Sequence, residues 1–151
     1  MIKLMVVDDE PVIREGIETA VDWERLDIQV VGTAGNGRDG MAKALAQKPD
    51  IVITDIRMPV MDGIHFAKEL KEKLPNVRIV FLTGYSEFEY AREAIRIGAA
   101  EYLLKPINTG ELTELVGRLA DEIRRENATV MNRNRETVLL KENLPMMRNR
   151  C

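Results

Sequence analysis

A polar residue stands wherever a short apolar run of this chain ends. Ile2-Lys3-Leu4-Met5-Val6-Val7 runs into Asp8 and Asp9, and Ile51-Val52-Ile53-Thr54 into Asp55. Ile79-Val80-Phe81-Leu82 runs into Thr83, and Tyr102-Leu103-Leu104 into Lys105. Short β-branched runs of this kind read as buried strands of a parallel sheet. Ligands of such sheets bind beyond the carboxyl ends of the strands. Acids, a hydroxyl and a lysine, far apart in the chain, therefore converge on one rim. Three carboxylates held together repel one another unless a cation joins them. A hard, oxygen-liganded ion such as Mg²⁺ is the natural partner. A lysine and a threonine beside that ion suit a phosphoryl group.

Strand and helix signals alternate. Pro11, whose missing N–H costs nothing at a helix start, opens a helix carrying Val12, Ile13, Ile17, Ala20 and Val21 at three- and four-residue spacing. Val21–Ile28 reads as a longer connection, with Trp23 covering the helix end, and Ile28–Thr33 as a second strand. Gly35–Gly40 opens a helix through Met41, Ala44 and Leu45, which Pro49 closes. Ile51–Thr54 is the third strand. After Asp62-Gly63, a helix carries Ile64, Phe66, Ala67, Leu70 and Leu74 to Pro75. Val77–Leu82 is a fourth strand, Glu87–Ile97 a helix stopped by Gly98, and Glu101–Leu104 a fifth strand. Asn108 or Thr109 caps a final helix carrying Leu112, Leu115, Val116, Leu119 and Ile123. Five strands alternating with five helices make a doubly wound α/β domain with helices on both faces.

The final helix is the irregular element. Positions 112, 116, 119, 123, 130, 140, 144 and 147 follow a heptad, but Glu126, Arg133 and Thr137 break it. A weak coiled coil, a helical linker and a frayed helix all fit this pattern.

Composition limits what the chain can do. Its 151 residues are 45% hydrophobic and 31% charged, which is globular and the size of one domain. No apolar run approaches the roughly 18 residues needed to span a bilayer. Lys3 is followed closely by Asp8-Asp9-Glu10, so no secretory signal is expected. The one cysteine is Cys151, which excludes an internal disulfide and fits a cytoplasmic setting. The net charge is −3, with +4 from Arg124 onward and −7 before it. An acidic body is a poor nucleic-acid surface, so any DNA contact would belong to a domain outside this segment.

Taken together, Asp8-Asp9, Asp55-Ile56-Arg57-Met58-Pro59-Val60-Met61-Asp62-Gly63, Thr83-Gly84-Tyr85 and Tyr102-Leu103-Leu104-Lys105-Pro106 resemble the receiver domain of bacterial two-component response regulators. The likeness covers about Met1 to Glu126. It implies a flavodoxin-like fold with strand order 2-1-3-4-5, and transfer of a phosphoryl group from a sensor histidine kinase to Asp55. It also implies Mg²⁺ held by Asp9, Asp55 and the main-chain carbonyl of Arg57, with Asp8 acting mostly through water. Lys105 and Thr83 would engage the phosphoryl oxygens, and Thr83 with Tyr102 would form the switch. Arg57 and Tyr85, two residues after Asp55 and Thr83, would border the water path to the phosphate.

Tyr85–Ala91 and Val21-Asp22-Trp23-Glu24 are similar to receivers attached to AraC-type DNA-binding domains, and Glu142–Arg148 to the linker in such regulators. The expected organisation is a receiver over 1–126 and a helical linker or tail over 127–151 towards an output domain. The alternative is a stand-alone receiver that docks on a partner protein. Phosphorylation is expected to act on the face made by the Glu87–Ile97 helix, the fifth strand and the final helix, with homodimerisation there or along the extended helix.

Rival readings account for less. Gly35-Asn36-Gly37-Arg38-Asp39-Gly40 spells the G-x-G-x-x-G of dinucleotide sites, with Asp55 as the ribose ligand. That reading leaves Asp8, Asp9, Thr83 and Lys105 without a role, so the glycines are taken as a tight turn. A Mg²⁺-dependent phosphohydrolase needs a second acid two residues after the nucleophile, where this chain has Arg57. His65, the only histidine, falls on a helix away from the rim, and Met5, Met58 and Met61 read as packing.

Overall fold

The computed structural model describes residues 1–84, 89, 92 and 100–150, with side-chain surroundings for these up to residue 130, Ala100 apart. Five parallel strands form one sheet in the order β2-β1-β3-β4-β5. They are β1 (Ile2–Val7), β2 (Ile28–Ala34), β3 (Ile51–Asp55), β4 (Arg78–Thr83) and β5 (Ala100–Leu104). Among the described residues the helices are α1 (Pro11–Ala20), α2 (Gly37–Gln47), α3 (Gly63–Lys73) and α4 (Thr109–Arg150). The helix expected over Glu87–Ile97 lies outside the described residues apart from Glu89 and Arg92, both helical. The fold is thus the doubly wound parallel sheet that the alternating pattern predicts.

The strands β3 and β4 are buried over nearly their whole length, which explains the apolar runs that form them. Every residue of β3 is buried, and β4 is buried from Ile79 to Thr83. Met5, Val7, Val52, Ile79 and Phe81 belong to one apolar cluster with Phe66, Ala67 and Leu70 of α3 and Ala44 of α2. Met58 is buried in that cluster and Met61 packs against it, as the packing reading of the methionines expects. Phe66 and Phe81 are almost fully buried, and each contributes about 1.5–3 kcal/mol of apolar burial. Ile13, Gly16, Ile17 and Ala20 of α1 share a groove with Thr109 and Leu112 of α4.

The helix ends are set by local chemistry. Pro11 opens α1. The Trp23 indole N–H donates to the Ile17 carbonyl at 3.2 Å, so Trp23 covers the end of α1 as anticipated. Asn36 caps α2 by accepting the Asp39 N–H at 2.9 Å. Asn108 caps α4 by accepting the Glu111 N–H at 3.1 Å. Arg118 of α4 pairs with Glu101 of β5 at 3.2 Å.

Two compact units are distinguishable, Met1–Leu119 and Ala120–Cys151. The first contains the sheet. The second is the continuation of α4, where Asp121 and Arg124 form an ion pair at 3.2 Å. Its backbone is helical through Arg150. Among the described residues, no helix is long and apolar enough to cross a membrane.

Candidate metal centre

The register of the sheet brings the strand-end residues together. Val7 is the partner of Thr54, so Asp8 and Asp55 come next on adjacent strands. Asp55 is the partner of Leu82, with Thr83 following, and Thr83 is the partner of Leu104, with Lys105 following. Asp8 continues the ladder by donating its N–H to the Ala34 carbonyl at 3.0 Å. Lys105 does the same on the other side, donating its N–H to the Thr83 carbonyl at 2.8 Å. The Lys105–Pro106 peptide is cis.

Asp8, Asp9 and Asp55 each offer a carboxylate oxygen, all within 4.8 Å of one another. Asp8 and Asp55 are buried, whereas Asp9 is exposed. The Lys105 ammonium lies 3.2 Å from Asp55 Oδ2 and 3.7 Å from Asp8 Oδ2. One lysine against three carboxylates leaves an excess of negative charge. Burial, and next the Asp8 carboxylate, push the Asp55 carboxyl up to about 6, against the opposing pull of Lys105. Burial likewise raises Asp8, opposed by the Glu10 N–H and Lys105. Burial alone would lower Lys105, but the Asp55 and Asp8 carboxylates outweigh it and hold the ammonium above its ordinary range.

The donor set fits a divalent cation. Asp8 Oδ1 accepts the Glu10 N–H at 2.9 Å, but the buried Oδ2 accepts no hydrogen bond. A buried acceptor in this state carries a desolvation cost that a cation would remove. All three groups are hard carboxylates of the kind that Mg²⁺ takes.

The loop after β3 is tied down around Asp55. Asp55 Oδ1 accepts the Ile56 N–H at 2.8 Å, and the Gly63 N–H donates to the Ile56 carbonyl at 2.7 Å. A Cβ at Gly63 would stand 1.9 Å from the Asp55 carbonyl oxygen, so only glycine fits there. Asp62 caps α3 by accepting the His65 N–H at 2.8 Å, and the exposed His65 ring lies 3.1 Å from the same oxygen. Val60 stands at φ 72° on an exposed turn closed by Met61 N–H on the Pro59 carbonyl at 2.8 Å. That backbone is strained for a β-branched residue, which the surrounding loop must hold in place. Met61 in turn accepts the Gly37 N–H at 3.3 Å, and a Cβ at Gly37 would meet the Met61 carbonyl oxygen at 2.7 Å. The second glycine of the G-x-G-x-x-G string is therefore required by a neighbouring chain segment.

Thr83 is fully buried, and its hydroxyl donates to the Gly84 carbonyl at 3.0 Å. Tyr102, on β5 beside Phe81, is 39% exposed. Arg57 is exposed in the loop after Asp55, and Tyr85 lies outside the described residues. His65 sits on α3 beside Asp62, in a pair distinct from the acid cluster. One neighbour of the site was not anticipated from the sequence. Arg14 of α1 donates through Nη1 to the Asp8 main-chain carbonyl at 2.5 Å. Its only signal is a basic residue in the first turns of a helix that follows an acid pair.

Residues 4–117 match the family described as response regulator receiver domain. The uncharacterized transcriptional regulatory protein YesN of Bacillus subtilis is 35% identical over 148 residues, which cover 98% of this chain and 39% of YesN. YxjL, another uncharacterized transcriptional regulatory protein of Bacillus subtilis, is 40% identical over 115 residues, 76% of this chain and 52% of that protein. The chain thus spans about half or less of these two curated relatives. Among solved structures, the REC domain of AraT, a response regulator from Geobacillus stearothermophilus, superposes with a TM-score of 0.79 at 40% identity, covering 83% of this chain and 97% of that one. A two component transcriptional regulator AraC from Clostridium phytofermentans gives 0.79 at 30% identity, covering 85% and 99%.

Proposed function

Because this chain belongs to the response regulator receiver domain family, we propose that it accepts a phosphoryl group on Asp55 from the phosphohistidine of a sensor histidine kinase. The observation that carries this reading is the convergence of Asp8, Asp9 and Asp55 within 4.8 Å, faced by Lys105 at 3.2 Å.

Each residue has a chemical task. Asp55 is the nucleophile. One of its carboxylate oxygens attacks the phosphorus, the bond from phosphorus to the donor imidazole breaks, and the imidazole leaves with that electron pair. The product is an acyl phosphate, which water later cleaves. With its carboxyl near 6, Asp55 is mostly ionised at neutral pH and more basic than an ordinary carboxylate. Lys105 moves from the Asp55 carboxylate to a phosphoryl oxygen and holds the charge that develops there. Thr83 turns its hydroxyl from the Gly84 carbonyl to the same group. Asp9, Asp55 and the Arg57 carbonyl would hold Mg²⁺, with Asp8 acting through water, and the ion would neutralise the acids and the equatorial oxygens.

Thr83 turning inward frees space behind β4 that the exposed Tyr102 ring on β5 fills. These two residues form the switch, and phosphorylation shifts its equilibrium. Residues 1–126 are the receiver, and 127–151 a helical linker towards an output domain. The transcriptional names of YesN and YxjL support DNA as the eventual target, reached through that output domain. The active form is a homodimer and works in the cytoplasm. The protein is a switch rather than a turnover enzyme, its chemistry limited to its own phosphorylation and dephosphorylation.

The test is a titration with beryllofluoride and Mg²⁺ followed by size-exclusion chromatography. The wild-type chain should shift towards dimer and Asp55→Asn should not respond. A response from Asp55→Asn would remove Asp55 from the nucleophile's role.

A further inference from the structure

Asp8 is pinned at nearly every polar atom. Its N–H donates to the Ala34 carbonyl at 3.0 Å. Its Oδ1 accepts the Glu10 N–H at 2.9 Å, and its carbonyl accepts Arg14 Nη1 at 2.5 Å. The N–H groups of Ile13 and Arg14 both donate to the Glu10 carbonyl, at 3.1 and 3.2 Å, which closes the first turn of α1 over the same segment. Only Asp8 Oδ2 is left without a hydrogen bond, with the Lys105 ammonium 3.7 Å away, and the Asp8 carboxylate belongs to the acid cluster. Of these ties, the Arg14 guanidinium is the one made by a side chain from outside the Asp8–Glu10 turn.

The fold makes room for that guanidinium. A Cβ at Gly35, just beyond β2, would stand 3.3 Å from Arg14 Nη1, closer than a comfortable contact. Two elements therefore cooperate: α1 supplies the arginine and the end of β2 supplies the space.

We propose that Arg14 is a positioning residue for the Asp8–Asp9 limb of the divalent-cation site, holding the β1–α1 turn so that the cation meets preset carboxylates. The inference rests on the reading that these acids hold Mg²⁺. It predicts a sign that charge alone does not. A cation standing near a cation site repels the ion, so an arginine acting only through its charge would tighten Mg²⁺ binding when removed. An arginine that orients the ligands loosens binding when removed. Partners that orient metal ligands typically account for about tenfold or more in affinity.

Isothermal titration of Mg²⁺ into the full chain separates these cases, with wild type, Arg14→Met and Gly35→Ala compared and each variant's melting temperature in EDTA recorded alongside. Arg14→Met keeps the stem and loses the donors. Gly35→Ala keeps the arginine and displaces it slightly, so it remains informative if Arg14→Met folds poorly. The expected result is a Mg²⁺ dissociation constant raised about tenfold by Arg14→Met and raised less by Gly35→Ala. Unchanged or tighter binding in both variants overturns the proposal, even where the melting temperature falls, because a purely structural arginine would lower only the latter. A wild-type chain that binds no Mg²⁺ overturns the cation reading itself and this inference with it; the wild-type titration tells the two failures apart.

Discussion

The Lys105 ammonium sits 3.2 Å from Asp55 Oδ2, on the carboxylate proposed to accept the phosphoryl group. This pairing stabilises the ionised acid, and under the proposed function it holds a cation where negative charge would develop. Lys105→Met should slow phosphoryl uptake about a hundredfold, the usual effect of deleting one group that stabilises a developing anion. The initial rate of uptake from a small-molecule phosphodonor reads this directly. A rate equal to wild type would mean that Lys105 serves only to balance the buried acids.

Asp55 also makes the cation-free protein sensitive to pH. Its carboxyl lies near 6 in the folded chain and at 3.8 when unfolded. A raised carboxyl favours folding fully only below 3.8, and that advantage is lost as the pH rises through 6. A tenfold change in proton affinity is worth about 1.4 kcal/mol, so ionised Asp55 costs about 3 kcal/mol above pH 6. In EDTA at pH 7.5, Asp55→Asn should therefore be more stable than wild type by up to this amount, and the gap should close towards pH 4. Urea denaturation at several pH values measures the difference. Equal stability at neutral pH would contradict the electrostatic picture of the cluster.

Asp9 should behave differently, because it is exposed. Asp9→Asn should leave stability in EDTA within about 0.5 kcal/mol of wild type. It should abolish most of the rise in melting temperature that Mg²⁺ produces in wild type through preferential binding to the folded state. Thermal melts with and without Mg²⁺ check both halves. A full Mg²⁺ response in the variant would remove Asp9 from the ligand set.

Strand-end chemistry was legible in the sequence because central parallel strands leave it no ambiguity. Ile51–Thr54 is apolar on both faces, so the first carboxylate after it must stand at the strand's end, and the same logic reaches Asp8, Thr83 and Lys105. Register then did the rest, since neighbouring strands of similar length bring their ends side by side. The ties that support the site were not legible. Arg14 reads as an ordinary polar helix residue until the direction of its side chain is known. Gly63 looks like a turn glycine, and its pressure on the Asp55 carbonyl is a contact between segments that no local pattern encodes. The Asn36 cap on α2 is another such tie, because it depends on the extended Asn36 backbone that lets the side chain reach the Asp39 N–H.

The cap on α3 gives an opposite pH signature. Burial would raise the Asp62 carboxyl, but the His65 N–H and ring outweigh it and hold the group below its ordinary value of 3.8. A depressed carboxyl stabilises the fold above 3.8, and this is lost as the pH falls through the lower folded value. Asp62→Ala should cost about 1 kcal/mol at pH 7, with the deficit shrinking below pH 4. Paired denaturation curves of variant and wild type provide the comparison, and a deficit independent of pH would point to packing instead of the cap.

Asp55 is the proposed acceptor of the phosphoryl group. The most direct measurement is mass spectrometry of the chain after incubation with a small-molecule phosphodonor and Mg²⁺, with the acyl phosphate trapped by borohydride and mapped by peptide. The expected result is one phosphoryl group per wild-type chain, located on Asp55 and absent from Asp55→Asn. Modification mapped to another residue, or an equal phosphoryl load on Asp55→Asn, would contradict it.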